Sequence, residues 1–384
     1  MFRCLAGVAA AFVVSPYAAP RARDLGVPFE GAPGRFNAIT DVPGVEVGHR
    51  TIVQGRGKLV VGEGPVRTGV SAIFPRGSRN SAPVYAGWFS MNGNGEMTGT
   101  AWIEESGELL GPVVLTNTHS VGIARDAVIQ WQVRRGNREN GWWSLPVVAE
   151  TWDGWLSDIN GFHVHADDVF AALEAAEGGP VAEGNVGGGT GMICYEFKGG
   201  IGTSSRVDDY TVGVLVQANH GLRGQLMIAG VPVGREIREG AFRSRETGSL
   251  IAVIATDAPL IPHQLKRLAR RAALGMARTG AISGNSSGDL FIAFSTGNPV
   301  PADDRHPASI ETLSSDAMSP LFEQVIQATE EAIINALVAA ETMIGRDDHR
   351  VEGLPHDRLR EILVRYGRLP GGLALEAAGR TEAP

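Results

Sequence analysis

The sequence predicts an α/β sandwich in which helices cover strands, on three observations. Short apolar runs of strand length recur from Phe36 onward, and segments of helical period alternate with them. The 51 glycines among 384 residues are too many for a helical bundle and point to a turn-rich, mixed fold.

The runs Val45 to Val47, Val70 to Phe74, Val113 to Thr116, Val212 to Val216 and Leu250 to Ala255 have the alternating or continuous apolar character of strands. Helical spacing covers Val121 to Trp131, Ala166 to Glu174, Pro262 to Arg278 and Pro320 to Ile344. The last is the best punctuated: Ser319 offers an N-cap oxygen and Pro320 suits the first helical position. Leu321, Phe322, Val325, Ile326, Ile333 and Leu337 form its apolar stripe, and Gly345 can take a left-handed terminating turn. No repeat interrupts this order. Residues 21–370 are expected to form one catalytic domain, with 371–384 a loose tail.

Hydrophobic residues at 43% and charged residues at 20% describe a chain with a sizeable core. A net charge of −8 without long Lys or Arg runs speaks against a nucleic-acid partner, and no later stretch reaches the roughly 18 apolar residues of a membrane span. Two cysteines, Cys4 and Cys194, make no disulfide framework and no thiolate metal site. Arg3, the apolar stretch Cys4 to Val14 and then Ser15 to Ala19 predict a signal segment over residues 1–20, although Tyr17 and Pro20 suit a cleavage site poorly. The chain is periplasmic or secreted if that segment is a signal, and cytoplasmic otherwise.

From Arg235 to Gly248 the chain is polar, strongly charged and without apolar period, so it predicts an exposed linker. It ends on Gly248-Ser249, a hydroxyl residue behind a glycine at the first position of a buried strand. A bent Gly248 peptide would let the Ser249 hydroxyl attack the preceding carbonyl and form an ester that water hydrolyses. The new α-amine, with a pKa of about 7.7 to 8.0, is a base for the adjacent hydroxyl. A plain turn before a strand is the other reading of these two residues.

Gly284-Asn-Ser-Ser-Gly-Asp289 runs into a second apolar strand, where Ser287 and Asp289 alternate onto one side, so the carboxylate can support a hydroxyl near Ser249. The same segment reads as a nucleophile elbow, Gly284-x-Ser286-x-Gly288, with Asp303 and His306 following, but an elbow needs a helix after it. Asn219 closes a strand at a turn and can donate to an oxyanion. Glu150 and Trp152 share a strand face, where they can hold an ammonium and supply a donor. Gly187 to Gly191 has neither dinucleotide nor P-loop spacing and needs only a tight turn. His163 and His165 with Asp167 do not carry a metal site, and Glu96, in a Gly/Asn loop, is structural or lines a pocket.

In order along the chain these segments resemble the DmpA/BapA family of L-aminopeptidases, D-esterases/amidases and β-peptidyl aminopeptidases. The resemblance runs through Arg21 to Gly31, Asn37 to Gly48, Asn92-Gly-Asn-Gly-Glu-Met-Thr-Gly99 and Gly184-Asn-Val-Gly-Gly-Gly-Thr-Gly-Met192 to Gly297. It implies a four-layer αββα sandwich resembling the N-terminal nucleophile hydrolases with different connectivity. It also implies cleavage between Gly248 and Ser249 into chains 21–248 and 249–384, with Ser249 as nucleophile. Ser287 and Asp289 would support it, Asn219 would receive the oxyanion, and Glu150 would hold the substrate's ammonium. Trp152 stands where the family carries Tyr, and an indole N–H donates but neither accepts nor deprotonates. Neither cofactor nor metal is implied. Expected substrates are short peptides, amino-acid amides or esters, and the assembly expected is a homo-oligomer, a tetramer. A serine esterase using Ser286 and His306, and a non-catalytic small-molecule binder of the same fold, are the alternatives.

Overall fold

The computed structural model describes residues 19–136, 141–246, 248–300 and 309–369. Most of the expected signal segment, the 371–384 tail and the Asp303 and His306 of the esterase alternative lie outside them.

Two sheets stack face to face. One has four strands in the order Glu46–Gln54, Val66–Phe74, Val113–Asn117, Val147–Thr151. The other has six, in the order Glu108–Leu109, Val84–Gly93, Gly288–Ser295, Ser249–Thr256, Thr211–Asn219, Gly200–Val207. Strand alternation assigns each residue to a layer. Ile251, Val253 and Ala255 pack between the sheets with Leu115, Leu215 and Ile292, whereas Leu250, Ala252 and Ile254 face the helices Pro262–Ala269, Ala272–Arg278 and Ser319–Val338. Val114 and Val148 of the smaller sheet face the helices Val121–Arg134 and Ala166–Glu174 on the opposite side. The result is the αββα sandwich implied by the resemblance.

Four sequence readings are corrected. The Pro262 to Arg278 pattern is two helices, because the chain turns at Arg270–Arg271. The turn lays Gly275 against the long helix, where a β-carbon would sit 2.6 Å from the Ile326 carbonyl oxygen. The long helix has Met318 rather than Ser319 as its cap residue and stops at Val338. The His356 ring donates to the Val338 carbonyl at 2.9 Å there, and Met343–Ile344 goes on to pair as a ribbon with Arg350–Val351. Two strands of the larger sheet, one of them at its edge, escape the pattern. In Gly200–Val207, Thr203, Ser204 and Arg206 are buried because Ser204 Oγ donates to Ala328 O at 2.6 Å and Arg206 bonds Glu331 at 2.8 Å. Val84–Gly93 is bent by a register shift opposite Asp289–Leu290.

The fourth correction concerns the linker. Residues 238–242 and 244–245 are exposed, but the segment is tied down at several points and Glu246 is buried. Its polar side chains hide from periodicity analysis the fact that its backbone groups are bound.

Candidate active site

Ser249 opens the central strand Ser249–Thr256, opposite Asn219, the last residue of the neighbouring antiparallel strand. Strand alternation turns its side chain the same way as Ile251 and Val253, into the gap between the sheets at their open end. Parallel pairing with Gly288–Ser295 brings the 284–289 loop beside it, and the Gly288 N–H donates to Ser249 Oγ at 3.0 Å. Gly248 is held at φ +147°, and a β-carbon there would lie 1.9 Å from the Asn219 carbonyl oxygen. Only glycine fits this bend, so the peptide directly before the hydroxyl takes a course closed to any other residue.

Ser287 and Asp289 are both fully buried beside this point. Ser287 Oγ donates to Asp289 Oδ1 at 2.7 Å, and the Leu250 N–H donates to the same oxygen at 2.9 Å. The expected alternation is therefore observed, with one difference: Ser249 Oγ is bonded by the Gly288 amide, while Ser287 Oγ turns to Asp289. Burial raises the Asp289 carboxyl above its ordinary range, and the hydrogen bonds from Ser283, Ser287 and Leu250 pull it back. Ser283 is a residue that sequence reading missed. Its backbone sits at φ +53°, held by the Asn92 side chain donating to the Ser283 and Gly284 carbonyls, and its hydroxyl donates to Asp289 Oδ2. An isolated Ser in a Ser/Gly loop carries no sequence signal for that contact.

The Asn219 side chain is oriented at both ends. Its Oδ1 accepts the Ile193 N–H at 2.8 Å and its Nδ2 donates to the Trp152 carbonyl at 2.9 Å, which leaves the second Nδ2 hydrogen for another acceptor. Glu150 is buried at the end of Val147–Thr151, accepting from the Glu96 N–H at 3.0 Å and from the Thr118 hydroxyl. Desolvation raises its carboxyl above the usual range, opposed by those two donors. A β-carbon on Gly95 would lie 3.1 Å from Gly288 Cα and 3.3 Å from Glu150 Oε1, so the bare Gly95 backbone borders both the carboxylate and the loop that holds Ser249 Oγ. Thr118 was not legible from sequence, and Glu96 acts through its backbone rather than its carboxylate. Trp152 differs from expectation: the strand ends at Thr151, so Trp152 does not share a strand face with Glu150, and the residue is 39% exposed.

The remaining motifs resolve locally. Gly187–Gly189 forms a buried turn against the Ser71 and Gln217 side chains. His163 Nε2 pairs with Asp158 at 2.8 Å, and His165 Nδ1 with the His163 carbonyl. Cys194 is buried and its thiol is pushed up to about 12 by desolvation, as befits a core residue. In the nucleophile-elbow reading, a strand rather than a helix follows Gly288, and Ser286 Oγ is committed to the Glu246 carbonyl at 2.8 Å.

One buried acid next to the site has a measurable signature. Asp153 is buried beside Thr68 and Asn117, and desolvation outweighs the weak pull of these neighbours and pushes its carboxyl from 3.8 up to about 7. A raised folded pKa holds stability that is complete below about pH 4 and lost as pH rises through about 7. Asp153→Asn, which stays neutral, should therefore raise the melting temperature at pH 8 and change it little at or below about pH 4. The expected gain at pH 8 is on the order of a few kcal/mol, read by calorimetry at both pH values.

A profile of peptidase family S58 matches residues 37–351. The chain belongs to peptidase family S58. It is similar to beta-peptidyl aminopeptidase BapA of Sphingosinicella microcystinivorans, 54% identical over 371 residues that cover 91% of this chain and 93% of the relative. BapA of Sphingosinicella xenopeptidilytica is 53% identical, covering 90% of this chain and 91% of the relative. Among solved structures, the L-aminopeptidase D-Ala-esterase/amidase of Ochrobactrum anthropi superposes with a TM-score of 0.87 at 50% identity over 91% of this chain and 100% of that one. That structure is described as a prototype for the serine aminopeptidases and a new variant of the N-terminal nucleophile hydrolase fold. A Burkholderia beta-aminopeptidase gives a TM-score of 0.85 at 49% identity, over 91% of this chain and 100% of that one. This S58 chain is a hydrolase of peptide bonds, an aminopeptidase of the N-terminal-nucleophile serine type, with peptides as its substrate class. Among its described residues no helix is long and apolar enough to cross a membrane.

Proposed function

We propose that the chain cuts itself between Gly248 and Ser249 and that the freed Ser249 then removes N-terminal residues from short peptides, amides or esters. The observation that carries this is the Gly248 bend, a peptide that only glycine tolerates, pressed against Asn219 directly before a buried hydroxyl that the Gly288 amide holds. In self-cleavage, Ser249 Oγ bonds to the Gly248 carbonyl carbon. The C–N bond then breaks and the hydroxyl proton passes to the departing nitrogen. Water hydrolyses the resulting ester, leaving a Gly248 carboxylate and Ser249 with a free amine.

In turnover, that amine or the Ser287–Asp289 pair takes the hydroxyl proton as Ser249 attacks the substrate's first amide carbonyl, and the proton then goes to the leaving amine. The second Nδ2 hydrogen of Asn219 meets the oxyanion. Water releases the acyl group. Glu150 holds the substrate's ammonium, which limits attack to the N-terminal residue; the positive charge would also relieve the burial that raises its carboxyl. Glu150→Gln is expected to raise KM for free-amine substrates about tenfold or more with a smaller change in kcat, in steady-state assays on amino-acyl anilides.

The names of the two BapA relatives make peptides with an N-terminal β-residue the first substrates to try, beside α-L amides and D-amino esters. The assembly proposed is a homo-oligomer, a tetramer, to be read by light scattering. Export rests on residues 1–20: a periplasmic protein beginning near Pro20 identifies a signal, and an intact start in the cytosol rejects one. The deciding experiment is intact mass with denaturing electrophoresis. Two chains, the smaller beginning at Ser249, support the reading; one unbroken and active chain rejects it.

A further inference from the structure

The segment before the Gly248–Ser249 bond is held by a group to which the catalytic reading gives no role. Glu196 lies in the turn between Ile193–Cys194 and Phe197–Lys198, at φ +60° and 2% exposed. Its Oε1 accepts the N–H groups of Phe242 and Arg243 at 2.5 Å each, and its Oε2 accepts the Arg223 N–H at 2.8 Å. The Arg223 guanidinium continues the tie, donating to the Ile237 carbonyl at 3.2 Å and to the Glu239 carbonyl at 2.6 Å. The Phe242 ring stacks on Trp155 at 4.9 Å, and Trp155 stacks on His349 at 4.3 Å.

The same turn also grips the strand end opposite Ser249. The Ile193 N–H donates to Asn219 Oδ1 at 2.8 Å, and the Tyr195 N–H donates to the His220 carbonyl at 2.6 Å. One hairpin therefore fixes two points: the chain at Phe242–Arg243 and the Asn219–His220 backbone against which Gly248 is pressed. The bridge between them leads from Ser244 past Glu246, whose carbonyl accepts the Ser286 hydroxyl at 2.8 Å, to Gly248. A bent peptide relaxes unless both of its ends are held, and a buried carboxylate taking backbone N–H groups is among the stronger ways to hold one.

We infer that Glu196 is a positioning residue for self-cleavage, holding the upstream chain so that the Gly248–Ser249 bond is presented bent to the Ser249 hydroxyl. This rests on the self-cleavage reading above. Once the bond is cut, the upstream segment carries no strain, so turnover does not depend on the tether.

The test is a time course of self-cleavage in full-length chain made by pulse-labelled cell-free synthesis, read on denaturing gels. Glu196→Gln keeps the shape but removes the charge and turns one of the two accepting oxygens into an amide nitrogen that cannot accept; it should slow cleavage about tenfold or more. The kcat and KM of its fully cut fraction should stay within about threefold of wild type. A second variant, with two glycines inserted between the exposed Ser244 and Arg245, leaves the clamp intact but slackens the bridge, and it should also slow cleavage. Cleavage of either variant at the wild-type rate overturns the inference, as does a cut Glu196→Gln enzyme whose turnover falls in step with its cleavage. If Glu196→Gln does not fold, the insertion alone decides. An unbroken wild-type chain instead overturns the self-cleavage reading itself.

Discussion

Ser249→Ala is expected to remain one unbroken chain and to lose peptide hydrolysis by a factor on the order of 10^4 or more. Both losses follow from one oxygen, because the hydroxyl that would open the Gly248 peptide is the one that would later attack substrate. The fold should hardly register the change. Ser249 is buried at the start of a strand whose residues 250–255 are apolar and fully enclosed, and the hydroxyl receives one hydrogen bond, from the Gly288 amide. Losing that bond costs about 1 kcal/mol, which lowers the melting temperature by only a few degrees. Electrophoresis, turnover and a melting curve on one preparation therefore separate chemistry from folding. An uncut variant that melts normally and does nothing supports the nucleophile; a cut or fully active one rejects it.

Gly248→Ala should come close to the same phenotype without touching the hydroxyl. The added β-carbon would stand 1.9 Å from the Asn219 carbonyl oxygen and 3.0 Å from its carbon, and both are backbone atoms of a paired strand that cannot swing aside. At φ +147° the residue also occupies backbone space that side chains rarely enter. The peptide must then leave its bend, and cleavage should slow by about a hundredfold or more, a barrier rise of about 3 kcal/mol. Turnover should fall in proportion to the uncut fraction, because in an uncut chain Gly248 still blocks the Ser249 hydroxyl and the free amine, one of the two bases proposed for Ser249, is missing. Pulse-labelled electrophoresis checks the rate. Wild-type cleavage would mean that the bend is not what drives the reaction.

Several parts of the site are legible in the chain itself because they depend on near neighbours. Glycine before serine at the start of an apolar run, and Ser287 two residues before Asp289, need only the period of a strand. The contacts that complete the site are invisible there because they join distant segments. The Gly288 amide reaches Ser249 across 39 positions, Thr118 reaches Glu150 across 32, and Ile193 reaches Asn219 across 26. Ser283 and Glu196 are ordinary loop residues until the fold aims them. Trp152 shows the reverse: its strand ends one residue before it, so the alternation that pairs it with Glu150 does not reach it.

What the sequence determined by itself is therefore what local periodicity and residue chemistry encode. It specifies the α/β layering, most of the helical and strand runs, the Gly248–Ser249 junction at the head of a buried strand, and the placement of Ser287 and Asp289 on one side of the next strand. Tertiary structure alone decided the register that sets Asn219 opposite Ser249, the Gly95 gap beside Glu150, the break at Arg270–Arg271 and the tethering of a segment that reads as a loose linker. The division has a physical cause. Side-chain period acts over a few residues, whereas backbone amides and carbonyls find partners wherever packing brings them, and no residue letter records where a backbone group will be bound.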